Sequence, residues 1–113
     1  MSKEIHRLLT ALEQFRAINP NMPVQQVQTF LYVCNHEDDE GGCNIRDLAA
    51  ALDYSLASAS RNIAAFSKVT RHKKQGPELL EATENFYNRA YKNITLTSQG
   101  RRLRQTLQEL VAT

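Results

Sequence analysis

The sequence lacks most of what an enzyme, a secreted protein or a membrane protein would require. No apolar stretch approaches the ~18 residues needed to span a bilayer, and no positively charged leader precedes an apolar run. There are only two cysteines, and neither has the paired C-x-x-C or His spacing of a structural zinc site. Cys34, His36 and Cys43 have no evident fourth ligand, so idle or buried thiols are expected and no metal. Nothing positive supports a redox switch between the two. The acidic run Glu37-Asp38-Asp39-Glu40 lacks the alternating ligands of a calcium loop and reads, with Gly41-Gly42 behind it, as a solvated loop. A glycine-rich phosphate loop, a nucleophile motif and an acid/base pair are all missing, which disfavours an enzyme. The expectation is a soluble cytoplasmic protein, with no cofactor and no membrane partner.

What is present is a single domain's worth of chain, 113 residues, enough to bury a core without disulfides or metal. The net charge of +2 is too small to name a partner, but its distribution is uneven. Residues 1–53 carry four basic against eight acidic side chains, and residues 54–113 carry ten against four. Such asymmetry suggests that the second half faces a polyanion, although uneven solvated surface charge gives the same pattern. There is no internal repeat and no low-complexity segment.

The apolar spacing predicts five helices and one hairpin. Ile5, Leu8, Leu9, Leu12 and Phe15 recur at three and four residues, giving an amphipathic helix ended by Asn19-Pro20-Asn21. Its leucines must be buried against the domain or a second copy, and residues 1–18 are read as a dimerisation helix. Pro23 suits the first turn of a second helix over residues 23–35, expected to be largely buried through Val24, Val27, Phe30, Leu31 and Cys34. Residues 44–68 then read as helix, tight turn and helix, capped by Asn44 and Ser55. At 100° per residue, Leu56, Ala59, Ile63 and Phe66 share one side of the second of these helices, with Ala57, Arg61, Ala64 and Lys68 opposite. Strands are predicted within residues 78–83 and 90–97, joined by a tip at residues 84–89. Thr97 or Ser98 caps a last helix over residues 98–111, with Leu103, Leu107, Leu110 and Val111 as its apolar stripe.

That order of elements is mainly α with a small β-hairpin wing, the winged helix-turn-helix. Two segments also resemble a known family. Leu52-Asp53-Tyr54-Ser55-Leu56-Ala57-Ser58-Ala59-Ser60-Arg61 is similar to the turn and recognition-helix start of MarR-type regulators, and Ile94-Thr95-Leu96-Thr97-Ser98-Gln99-Gly100 is similar to the end of their wing. The resemblance covers roughly residues 22–110. It implies a homodimer with interlocking terminal helices, the fourth helix in the major groove and the wing across the adjacent minor groove. Ser55, Ala57, Ser58 and Arg61 match the family's recognition-helix positions, and Arg89 falls near its wing-tip arginine. The chain departs from the pattern in its single helix after the wing, which implies an interface rebuilt around the first helix. A second departure is a longer, more basic stretch at residues 69–77. A compact member of this kind fits a phage or mobile element.

Placed on one helix, Arg61 and Lys68 would project from the same side about 10.5 Å apart, at ~1.5 Å rise per residue. Arginine reads guanine through a bidentate pair, whereas lysine adds mostly salt-sensitive affinity. Ala57, Ser58, Ala64 and Ala65 would let the backbone approach a groove closely, and the same small residues would equally suit packing against another helix. Arg89, beside Asn88 on the tip, is placed as a minor-groove probe, while Phe86 and Tyr87 suit bracing of the hairpin. Arg71, Lys73 and Lys74 form the densest positive run, open to phosphate contact or to solvent alone. The expected function is sequence-specific binding of double-stranded DNA by a dimeric transcriptional regulator through Ser55, Ala57, Ser58, Arg61, Lys68, Asn88 and Arg89, with Ile5, Leu8, Leu9, Leu12 and Phe15 as the dimer contact. The alternative keeps the fold as a module that docks on a partner protein. No residue names a small-molecule effector.

Overall fold

The structure, a computed structural model, describes residues 2–68, 74–84 and 92–112. Five helices and a two-stranded antiparallel hairpin follow in the order α1 (Lys3–Ile18), α2 (Val24–His36), α3 (Ile45–Leu52), α4 (Leu56–Ala64), β1 (Leu80–Glu84), β2 (Lys92–Leu96) and α5 (Ser98–Val111). Each helix but α2 starts on a side chain that replaces a missing backbone partner. Ser2, Asn44, Ser55 and Thr97 accept N–H bonds from Ile5, Asp47, Ser58 and Gly100, respectively. Pro23 sits just outside α2 in extended backbone, φ −64° and ψ 147°, and supplies no side-chain cap.

The core is strung on three phenylalanines. Phe15 of α1 meets Phe30 of α2 edge-on, with centroids 5.8 Å apart, and Phe30 in turn lies 5.6 Å from Phe66, just beyond α4. Val33, Leu48, Leu80, Ile94 and Leu96 close around them. In the hairpin Leu80 stands opposite Leu96 and Ala82 opposite Ile94, so one face of the alternating β2 residues is buried. Gly100, on the first turn of α5, is also buried against this base.

Three expectations about packing are corrected. Phe15, placed with the dimer stripe on helical periodicity, is 2% exposed and belongs to the domain's own core. Its neighbours on that stripe remain outside: Ile5 is 65% exposed, Leu8 and Leu9 54%, Leu12 40%. The second helix is buried along only one side, through Val27, Thr29, Phe30 and Val33, while Val24 and Leu31 are exposed. Glu37, read as part of a solvated loop, has a side chain only 5% exposed. Its carboxylate accepts the backbone N–H of Leu96 at 3.0 Å and pairs with Arg101 at 2.6 Å and Arg104 at 3.2 Å. One acidic side chain thereby joins the end of α2 to β2 and α5, and the charges that compensate it lie more than sixty positions away.

Candidate nucleic-acid interface

The turn between α3 and α4 is made by Asp53, which takes the left-handed conformation at φ 59°. A short polar side chain tolerates that region better than a branched one. It lets the N–H of Tyr54 return to the carbonyl of Ala49 at 2.8 Å and close α3. Ser55 then starts α4 at once, and Tyr54 donates its phenol hydrogen to Gln28 of α2, tying the turn to the body. On the buried side of α4, Ala59 and Ile63 pack inward with Asn62, whose amide donates to Gln25 at 3.5 Å.

The opposite side of α4 carries the predicted residues. Ser55, Ala57 and Arg61 are exposed and Ser58 is partly so. They form a local relay: Ser58 N–H donates to Ser55 Oγ at 3.0 Å, and the Arg61 guanidinium donates to Ser58 Oγ, also at 3.0 Å. The cation is thus held along the helix surface by its own element, with most of its donors still open.

Two features depart from the expected face. Leu56 is 47% exposed instead of packed inward, because the buried stripe is centred on Ala59, Asn62 and Ile63 and leaves the first helical residue at its edge. Lys68 is exposed but is not on the helix, which ends at Ala64. Beyond that point the chain turns to meet the approach to β1. Phe66 O accepts the N–H groups of both Leu79 and Leu80, at 2.7 and 3.1 Å, and Lys68 O accepts Gly76 N–H at 2.7 Å. These long-range bonds compete with a further helical turn, so Arg61 and Lys68 share no helical stripe. Asn88 and Arg89, with Phe86, Tyr87, Arg71 and Lys73, lie outside the described residues.

Sequence reasoning passed over Ser60, which is exposed beside Ala57 and Arg61. The projection that groups Leu56, Ala59, Ile63 and Phe66 puts Ser60 roughly 80° from the centre of the apolar side, so helical spacing gives no signal for its exposure. Both thiols are held neutral. Burial first, with nearby Glu37 adding, pushes Cys34 up to about 12, against the pull of Arg104. Cys43 is pushed up to about 11 by burial and then by Asp39, Asp47 and Glu37. No described helix is long and apolar enough to cross a membrane, and no cluster of three His, Cys, Asp or Glu suited to a metal ion occurs among the described residues.

No family model matches this sequence, and no curated protein matches it. Solved structures do. The S. aureus MepR–DNA complex superposes with a TM-score of 0.65 at 24% identity, covering 93% of this chain and 73% of that one. A mutant MepR from a multidrug-resistant S. aureus clinical isolate gives 0.64 at 23% identity, over 87% of this chain, which spans 60% of that chain's length. A MarR-family transcriptional regulator from Rhodococcus sp. RHA1 gives 0.59 at 22% identity, over 98% and 75%. The fold is a winged helix-turn-helix. More narrowly, it is the MarR-like version, with two helices before the helix-turn-helix and one after the wing.

Proposed function

We propose that the protein is a dimeric transcriptional regulator that binds double-stranded DNA in a sequence-specific way, presenting α4 to the major groove and its wing to the adjacent minor groove. The observation that carries this reading is the outer face of α4, where Arg61 is exposed and tethered to Ser58 beside Ser55 and Ala57. Small side chains allow close backbone approach, the guanidinium supplies a bidentate donor for guanine, and the serines suit phosphates. The likeness to a MepR chain solved with DNA supports the same reading. Arg89 and Asn88 remain the proposed wing contacts on sequence grounds. Ile5, Leu8, Leu9 and Leu12 supply the proposed contact with a second copy, since four outward apolar side chains on one helix are stabilised by burial.

Selection of oligonucleotides on the purified protein tests this. Enrichment of a palindrome is expected, because a two-fold dimer reads two half-sites. A purified protein that binds no duplex at low salt, where non-specific affinity is greatest, overturns it. That outcome would favour a protein-docking role for the same surface, a reading that the 47% exposure of Leu56 at the edge of this face supports.

A further inference from the structure

Near its start α5 is held in two ways. The first is a pivot, where Thr97 caps the helix and Gly100 lies directly against the carbonyl of Leu79. The second is Glu37, the residue that closes α2. Its carboxylate, buried between the elements, accepts Leu96 N–H just before the pivot and binds Arg101 and Arg104, which stand three positions apart on one side of α5. The far end of the helix belongs to a different surface. Leu107 and Val111 of α5 line one groove with Leu8 and Leu12 of α1, and Leu8, Leu12 and Val111 are exposed. The last helix therefore runs from the base of the wing to the apolar surface proposed for a second copy.

We propose that Glu37 is a positioning residue that sets the angle between the wing and α5, and through that angle the spacing of DNA half-sites that the dimer accepts. The inference rests on the dimeric DNA reading above and deepens it. A helix held only at its first turn is free to swing about that turn. The carboxylate opposes the swing, because tilting α5 away lengthens the Arg104 pair, which is farther from the pivot than the Arg101 pair. The leverage is long. The helix has 14 residues, about 21 Å at ~1.5 Å rise, so a swing of about 10° moves its far end by about 3.6 Å. One base pair occupies about 3.4 Å of B-DNA, so that swing is worth about one base pair of spacing. A buried ion pair suits this role, since it adds little net stability over apolar side chains but demands one geometry of donors and acceptor. Leu96 N–H ties the same carboxylate to β2, so the end of α2, the base of the wing and α5 share one reference point.

The test uses the intact protein and palindromic duplexes built from its selected half-sites, with the spacer lengthened or shortened by single base pairs. The wild type is expected to lose about tenfold in affinity at one base pair from its preferred spacing, the size of one mismatched pair. Glu37→Gln keeps an acceptor for Leu96 N–H but offers the arginines no charge, and its loss at the same step is expected to fall below about threefold. The Arg101→Ala, Arg104→Ala variant should flatten the spacing profile equally, and adding Glu37→Gln to it should flatten no further, since both act through one contact. Base preference within each half-site should stay that of the wild type. Val33→Ala truncates the buried side of α2 without removing a bond of the carboxylate, and should lower stability while keeping the wild-type profile. If Glu37→Gln or the double arginine variant folds by circular dichroism, binds duplex and keeps the wild-type spacing penalty, the positioning role is overturned and the DNA reading stands. Equal flattening by Val33→Ala also overturns it, because general loosening then suffices. If the wild type binds no duplex at low salt, the DNA reading falls and the positioning role with it.

Discussion

A Cβ added to Gly100 would stand 2.2 Å from the carbonyl oxygen of Leu79, so α5 and the base of the hairpin touch backbone to backbone. The same carbonyl accepts the N–H of Thr97 at 3.1 Å, while the Thr97 hydroxyl donates to Glu78 O at 2.6 Å and receives Gly100 N–H at 3.0 Å. This accounts physically for the threonine and glycine three positions apart at the end of the wing. Gly100→Ala is expected to destabilise the fold by about 1–3 kcal/mol through overpacking, seen as a lower urea midpoint at unchanged slope.

Glu37 concentrates the polar bonding between α2, β2 and α5. Glu37→Ala removes an acceptor for Leu96 N–H, takes the carboxylate from Arg101 and leaves Arg104 with only Asp38 at 3.9 Å. Arg101 is 52% exposed and Arg104 25%, so solvent offsets part of the loss. A destabilisation of about 1–3 kcal/mol is expected, smaller than for a fully buried pair. Glu37→Gln should recover part of it in the same urea titration, because the amide oxygen still accepts.

Ser55 both caps α4 and belongs to the proposed reading face, whereas Arg61 belongs to the face alone. Ser55→Ala should lower stability by about 1 kcal/mol by orphaning Ser58 N–H. Arg61→Ala should leave stability nearly unchanged, since the side chain is exposed. It should weaken binding to a selected duplex by about 1–3 kcal/mol and relax base choice at one position, measured by fluorescence anisotropy. Unchanged binding in an Arg61→Ala, Arg89→Ala double variant would remove this assignment.

The thiols define an alkaline limit. Their folded values of about 12 for Cys34 and about 11 for Cys43 lie above the ordinary 9.0, so folding favours the neutral thiol. This contribution is fully present below about pH 9 and is lost as pH rises through the folded values. The Cys34→Ala, Cys43→Ala variant should show a weaker fall in stability between about pH 9 and 11 than the wild type. Native protein at neutral pH should react slowly with iodoacetamide, since the thiolate is the nucleophile.

Leu8 and Leu12 test assembly without entering the core. Each is 40% or more exposed, so Leu8→Glu with Leu12→Glu should preserve the helical spectrum while converting a sedimenting dimer to a monomer. A wild type that is monomeric at high micromolar concentration removes the dimer from the proposal.

Most of the fold was legible in the sequence because local chemistry and tertiary packing agree there. The caps at Asn44, Ser55 and Thr97, the break at Asn19-Pro20 and the alternation of Ile94 and Leu96 each name an element by themselves. What was not legible depends on partners distant in sequence. The end of α4 at Ala64 is set by bonds from residues 76–80, and the burial of Glu37 by arginines of α5. Phe15 fits the same periodicity whether it faces a second copy or Phe30, so spacing alone left its side unresolved. Of the candidate site, Ser55, Ala57, Ser58 and Arg61 occupy one outer surface of α4 and its cap, Lys68 lies beyond the helix, and Asn88 and Arg89 fall outside the described residues.

The double acceptance at Phe66 O has a mechanical meaning. The last turn after α4 and the first strand of the wing hang from the same oxygen, and the side chain of that residue is anchored on Phe30 in the core. The end of the helix and the base of the wing therefore share one tether, and a displacement of either is felt at the aromatic core through Phe66.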